Sequence, residues 1–510
     1  MKISIFLTML LCTTPLVSKN SDTTTARKHL LGSLFAHIAS YFLDDVRAAY
    51  AQHPYSALQA QVRTGYDIAE EEKKYVQERL PKVQHALETL LSTTLSSEKI
   101  PTIAFCGSGG GYRAMITTLG ALQGAEEIGL LDASIYAAGV SGSAWALAVL
   151  TQLGLPVAAC LDRVAEAITT DLLDGYNHRQ VTAALLKQIA FTQQFSLVDF
   201  YGALLAQKLL CASDVPDVNG ITLASQAEKF AKAEHLFPIC SAVIDAGDSR
   251  YEWVEFTPYE VSSMFLGASI PTWAFGRSFK AGVSTDFDPA QSLGFGMGIW
   301  GSSFTANAKD VIRYLEDTDS SLVSHLFSLL VDSLPDVITQ KRFVSPAHVR
   351  NWSYATALHF ARRKNLHILD AGFAFNMPFL PLVRKARPVD IMIIIDASPE
   401  ADAGELRNAE AFARTHNIAF PPIDYSKVTL PCSVHAQWLD PHVPVIIYCP
   451  LVAQNGYAQG WDPHQEDFTS TFNFRYTPEQ TKLLSGLATY SLKESQELLV
   501  DTIKKVIEQK

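Results

Sequence analysis

Apolar residues recur through the first part of the chain at helical spacing. Between Lys28 and Ala51 they fall at Leu30, Leu31, Leu34, Phe35, Ile38, Phe42 and Val46, which predicts a helix with one greasy face, packed on the body or lying against a membrane. A second stripe spans residues 69–91, acidic at its start, with Val76, Leu80, Val83 and Leu87 on one side. Pro81 is expected to break it in two. From residue 100 the pattern changes to short uninterrupted apolar runs, at 103–106, 136–140, 239–244, 251–256, 367–369, 390–395 and 443–449, separated by helix-period segments. Continuous apolar strands alternating with helices predict an α/β fold, a layered sheet covered by helices on both faces. Residues 174–237 and 306–352 read as mostly helical insertions between strands, placed to form a helical cap. No repeat or low-complexity tract interrupts this order. The expected organisation is a leader at 1–18, a helical N-terminal region at 19–99 and one elaborated domain at 100–510.

Composition narrows the classes. With 510 residues, 48% hydrophobic and 18% charged, the chain can bury a large core. Its net charge of −11 offers no basic field for nucleic acid and no polybasic anchor for anionic lipid, so any membrane contact has to be apolar. Met1 and Lys2 followed by the apolar run to Cys12 are too short to span a bilayer and predict a cleaved export signal, hence an exported protein; the alternative is an uncleaved apolar N-terminus of a cytoplasmic or membrane-associated protein. Seven scattered cysteines with no Cys-x-x-Cys, and no clustered histidines, argue against a disulfide scaffold and against a metal site. Cys106, Cys240 and Cys449 lie in or at the end of apolar runs and read as buried thiols.

Two segments carry chemistry. Ser141 sits in Gly139-Val140-Ser141-Gly142-Ser143 between a strand run and a helix run. A sharp strand-to-helix turn of this kind exposes a serine hydroxyl, and the helix N-terminus behind it favours an anion. The bland alternative is a small residue at a crowded turn. Upstream, the strand at 103–106 runs into Gly107-Ser108-Gly109-Gly110-Gly111-Tyr112-Arg113, a nest of backbone N–H groups suited to a phosphate or an oxyanion. No Lys-Ser/Thr follows the last glycine and the dinucleotide spacing is incomplete, whereas a serine stands at the next strand-to-helix corner. The oxyanion reading is the better fit.

These segments, together with 366–378 (Leu-His-Ile-Leu-Asp-Ala-Gly-Phe-Ala-Phe-Asn-Met-Pro) and weaker matches at 253–260, 297–302 and 471–474, resemble the cytosolic phospholipase A2 family, which is related to patatin-like lipases. The stretches fall in the family's order over most of the chain. The resemblance implies a fold of the patatin and cytosolic phospholipase A2 type and a carboxylic ester hydrolase. It implies Ser141 as nucleophile and Asp370 as its partner in a Ser-Asp dyad without histidine, Gly110 and Gly111 as oxyanion hole, and Arg113 on the head-group phosphate or steadying charge near it. No cofactor or metal is implied; the partner is a phospholipid membrane surface as substrate, with no obligate protein partner. The chain departs from the pattern in Ser143, where the commoner lipase elbow has glycine, in Ala371, where a serine is expected, and in lacking aspartate-rich loops before Ile100. Calcium-independent action is therefore expected.

Alternatives stand beside these readings. Asp245-Ala246-Gly247 repeats the tripeptide of Asp370, but Asp248 and Ser249 follow between two strand runs, which favours a hairpin turn. His367, His435, His442 and His464 leave a Ser-Asp-His triad open. Arg113 can instead make a helix-start ion pair. Asn351-Trp352-Ser353 is a formal glycosylation acceptor. The leading function is release of fatty acids from glycerophospholipids or lysophospholipids; the rivals are a triad esterase of soluble esters and a non-catalytic lipid-binding protein.

Overall fold

A computed structural model of the protein describes residues 43–192, 196–210, 217–307, 346–399 and 402–510. Its strands, in chain order, are β1 (Arg63–Thr64), β2 (Ile103–Gly107), β3 (Tyr136–Val140), β4 (Phe237–Gly247), β5 (Arg250–Phe256), β6 (Glu260–Ser263), β7 (Ala268–Pro271), β8 (Phe279–Lys280), β9 (Val283–Ser284), β10 (Ala347–Arg350), β11 (Asn365–Asp370), β12 (Ile391–Asp396), β13 (Ser433–His435) and β14 (Val445–Pro450). The helices are α1 (Glu70–Leu91), α2 (Gly111–Glu127), α3 (Gly142–Leu153), α4 (Val157–Ala167), α5 (His178–Thr192), α6 (Leu197–Leu210), α7 (Leu293–Trp300), α8 (Gly404–Thr415), α9 (Pro478–Glu494) and α10 (Gln496–Gln509).

One mixed sheet runs in the order β1-β7-β6-β5-β4-β3-β2-β12-β14-β13, with β11 also on β4 and β10 on β11. Its parallel centre is β4-β3-β2-β12-β14. Every residue of β2, β3, β12 and β14 is buried, as uninterrupted apolar runs require when both faces are covered. All the predicted strands are present, with ends displaced by up to three residues.

The feature that positions the site is the length of β4. Its first half pairs with β3, in parallel, and its second half pairs with β11, antiparallel. Strands β3 and β11 therefore run head-on along one edge of β4, and their C-terminal ends meet. Val140 lies opposite Ser241, and Asp370 lies opposite the next residue, Ala242. One residue of strand rises only about 3.3 Å. Whatever follows Val140 is pressed against Asp370.

Several expectations change. Pro81 does not divide its helix: α1 is continuous through it. Proline forfeits one helical hydrogen bond, but Tyr75, Val83, Leu87 and Leu91 bury one face of α1, and Arg79 donates to the carbonyls of Ser134, Ala233 and Leu131. Cys449 is not a free thiol but is bonded to Cys432, while Cys106, Cys160 and Cys240 are buried free thiols. The antiparallel register that pairs Ser433 with Tyr448 brings Cys432 opposite Cys449, an adjacency that linear spacing does not reveal. Asn351 is buried, its amide donating to the carbonyls of Phe360 and Arg363, so the formal acceptor motif is a packed turn. Of the two insertions, the first supplies α5 and α6; residues 308–345 of the second lie outside the described residues, as do 28–42 of the first helical stripe and the leader at 1–18.

Candidate active site

Ser141 is the N-cap of α3, immediately after β3, with φ 51° and ψ −117°. Positive φ at a residue with a Cβ is strained and is held only where the surroundings enforce it. Here they do. A Cβ at Gly142 would meet the Gly111 carbonyl at 1.8 Å, so the starts of α2 and α3 touch backbone to backbone at that point. Ser143, the departure from the commoner elbow, ties the two turns together. Its hydroxyl donates to the Ser108 carbonyl at 2.6 Å and receives the Thr118 hydroxyl at 2.7 Å.

The glycine nest follows β2. Gly110 has φ +139° and Gly111 φ +62°, conformations that side chains with a Cβ rarely adopt. Ser108 and Gly109 donate their N–H groups to the carbonyls of Ile395 and Asn376. Among the described residues the N–H groups of Gly110 and Gly111, at the start of α2, have no carbonyl acceptor. They are the free donors of the nest.

Arg113 lies in the first turn of α2 and is buried. Among the described residues it forms no ion pair. Nε donates to the Ala397 carbonyl at 2.6 Å, and Nη1 donates to the Thr469 carbonyl at 2.7 Å and to the Thr471 hydroxyl at 3.0 Å. Nη2 has no hydrogen-bond partner among the described residues and lies against Gly110. Three donors fasten the loops after β12 and before α9, and one nitrogen remains for an anion.

Asp370 ends β11, is 1% exposed, and anchors a short turn by accepting the Gly372 N–H at 2.9 Å. Its own N–H donates to the Ser302 hydroxyl. The Ser141 hydroxyl and Ser303 stand beside the carboxyl in one cavity and draw its pKa down. Burial pushes its pKa up to about 6, against the pull of these donors. Asp245, the rival, caps the β4–β5 hairpin by accepting the Gly247 N–H, with Asp248 and Ser249 at positive φ in the turn.

Ser141, Asp370, Gly110 and Arg113 line one cavity of about 340 Å³, together with Ser303, Phe304, Asn376 and Phe472 among others. Among the described residues no histidine lines it. His435 lies on β13 at the far end of the sheet, bonded to Asp424 and Ser433. His442 is exposed in a turn, His367 is exposed beside His348, and His464 stands behind the wall, bonded to the Pro399 carbonyl. The sequence assigns no role to Ser303 or Asn376, although Asn376 lies within a segment that carries the resemblance and Ser303 adjoins one. Glu405 at the start of α8 accepts the Asn376 N–H at 2.7 Å, and the Asn376 carbonyl in turn holds Gly109. An acid in the first turn of a helix is too common to single out in a sequence.

The model of the lysophospholipase catalytic domain matches residues 103–431, a span that contains the nest, the elbow and Asp370. The chain belongs to the lysophospholipase catalytic-domain family. Among its relatives, human cytosolic phospholipase A2 zeta is 29% identical over 466 residues, covering 77% of this chain and 53% of the relative. Human cytosolic phospholipase A2 gamma is 25% identical over 534 residues, covering 86% of this chain and 95% of that protein. The chain thus spans about half the length of the zeta relative. The solved structure of human GIVD cytosolic phospholipase A2 superposes with a TM-score of 0.76 at 19% identity, over 88% of this chain and 68% of that one, which establishes the shared fold. The same protein in complex with methyl gamma-linolenyl fluorophosphonate gives a TM-score of 0.69 at 22% identity, over 88% of this chain and 66% of that one.

These relatives overturn the expectation of export, because they are named cytosolic enzymes. A short basic-then-apolar N-terminus is a compositional signal only, and the same composition serves as an uncleaved segment. Among the described residues no single helix is long and apolar enough to cross a membrane.

Proposed function

We propose that this chain is a serine acyl hydrolase that releases fatty acids from glycerophospholipids or lysophospholipids presented at a membrane surface. The observation that carries this reading is the placement of Ser141 beside the buried Asp370 carboxyl in one cavity, next to N–H groups left free in the nest. Ser141 attacks the ester carbonyl while its proton passes to Asp370. The oxyanion that forms accepts from the N–H groups of Gly110 and Gly111, aided by the N-terminal ends of α2 and α3. As the tetrahedral intermediate collapses, the ester C–O bond breaks and the departing glycerol oxygen takes the proton from Asp370, leaving an acyl group on Ser141. Water then adds to the acyl-enzyme, giving its proton to Asp370, and collapse returns that proton to Ser141 and frees the fatty acid.

Each group suits its task. A carboxyl shifted to about 6 by burial is a stronger base than an ordinary aspartate yet stays mostly ionised near pH 7. The free Nη2 of Arg113 suits a phosphate oxygen of the head group. The names of the relatives, phospholipases A2, support a phospholipid ester as the substrate class. Fatty-acid release from phosphatidylcholine vesicles tests the proposal. The native chain should release fatty acid and Ser141→Ala should not; hydrolysis retained in that variant would end it.

A further inference from the structure

We propose that Ser303 is a positioning residue for Asp370, holding the carboxylate toward Ser141. The inference rests on the function proposed above. Ser302 and Ser303 open the short turn Ser302–Asn307 that follows α7, and they bind Asp370 from opposite sides of its chemistry. The Ser302 hydroxyl accepts the backbone N–H of Asp370 at 2.9 Å, while the next residue, Ser303, stands beside the carboxyl group and draws its pKa down. Ser303 also lines the cavity that contains Ser141 and Asp370.

The turn is fastened to the helix that carries the nucleophile. Trp145, whose N–H bonds to the Ser141 carbonyl, donates its indole N–H to the Met297 carbonyl at 2.9 Å. A Cβ on Gly301 would meet the Trp145 ring at 2.1 Å, and the Phe304 ring lies 5.5 Å from it. Serine nucleophile, serine donor and carboxylate are therefore set in one frame, with Trp145 as its brace. A carboxylate held by fixed donors cannot turn its second oxygen away from Ser141. Each donor also favours its charged form.

Ser303→Ala removes one donor and leaves the backbone N–H in place. The acid limb of kcat/KM for fatty-acid release should then move up by about one pH unit, with the high-pH plateau changed far less. Ser303→Thr, which keeps the hydroxyl, should restore the native profile, and Ser303→Cys, a weaker donor of similar size, should fall between. The other titratable groups stay as they are in all three variants. Arg113, Asp402 and Glu405 on the cavity wall and Tyr201 of α6 are unchanged. So are Cys240 and Asp245 on β4, His348 and Arg350 on β10 and His367 on β11, while α7 carries no titratable side chain.

A shift with Ala, reversed by Thr, supports the positioning role. A uniform loss at every pH, or no change in the acid limb, overturns it. Asp370→Asn, measured alongside, keeps the two claims apart: activity in that variant would defeat the dyad itself, whereas an inactive Asp370→Asn with an unmoved Ser303→Ala profile would defeat only the inference about Ser303.

Discussion

A φ of 51° at Ser141 is a conformation that a side chain with a Cβ holds only under constraint, and here two turns packed backbone to backbone impose it. The strain lifts the hydroxyl from the end of β3 toward a carboxylate that burial has made more basic. Asp370→Asn is accordingly expected to lower turnover by orders of magnitude, since an amide cannot accept the serine proton, while Asp245→Asn keeps most of it; initial rates of fatty-acid release read the contrast. The base works only when unprotonated, and its pKa is raised to about 6. Activity should therefore rise as pH climbs through about 6 and be lost below it, which a pH profile of kcat/KM will read. Arg113 has three donors engaged in holding loops and one nitrogen free. Arg113→Ala should lower rates on every ester, and more on a phospholipid than on a neutral short-chain ester, because only the former offers a phosphate to Nη2. Equal losses would make Arg113 purely a loop anchor.

Among the elements, β4 matters most, since β3 and β11 abut along its edge. The individual strands were legible because each is an uninterrupted apolar run, and Asp245 was legible as a turn residue from the polar pair that follows it. Their juxtaposition was not, because nothing local encodes that β4 is long enough to seat two partners end to end. The same blindness to register hid the Cys432–Cys449 bond, and Ser303 and Glu405 carried no signal beyond ordinary polarity. Pro81 misled for a different reason. A local propensity of about 3 kcal/mol against helix is smaller than the burial gained by one face of α1. Pro81 is exposed, so Pro81→Ala should stabilise the protein by about 1–2 kcal/mol, seen as a higher denaturant midpoint. Helix α1 is also pinned by charge: Arg387 binds Glu72 of α1 and Glu255 of β5, all buried. Arg387→Leu leaves the buried Glu72 without its cation, while Arg384 still pairs with Glu255, and should cost about 3–5 kcal/mol in the same measurement.

For the molecule as a whole, a mixed sheet covered on both faces is shared with the solved cytosolic phospholipase A2 structures, and the site lies where the ends of its strands converge. A net charge of −11 gives no electrostatic pull toward anionic lipid, and among the described residues no group of three or more His, Cys, Asp or Glu is arranged to hold a metal ion. Fatty-acid release is expected to survive chelation by EDTA; loss of activity on chelation would show that the hydrolysis needs a metal. The central claim is that Ser141 is the acyl-accepting nucleophile and that Asp370 activates it. Its most direct test is covalent labelling by a fluorophosphonate, with the modified peptide located by mass spectrometry. The account predicts a single adduct on Ser141 in the native chain and labelling slowed by orders of magnitude in Asp370→Asn. An adduct on another residue, or Asp370→Asn labelled at the native rate, would contradict it.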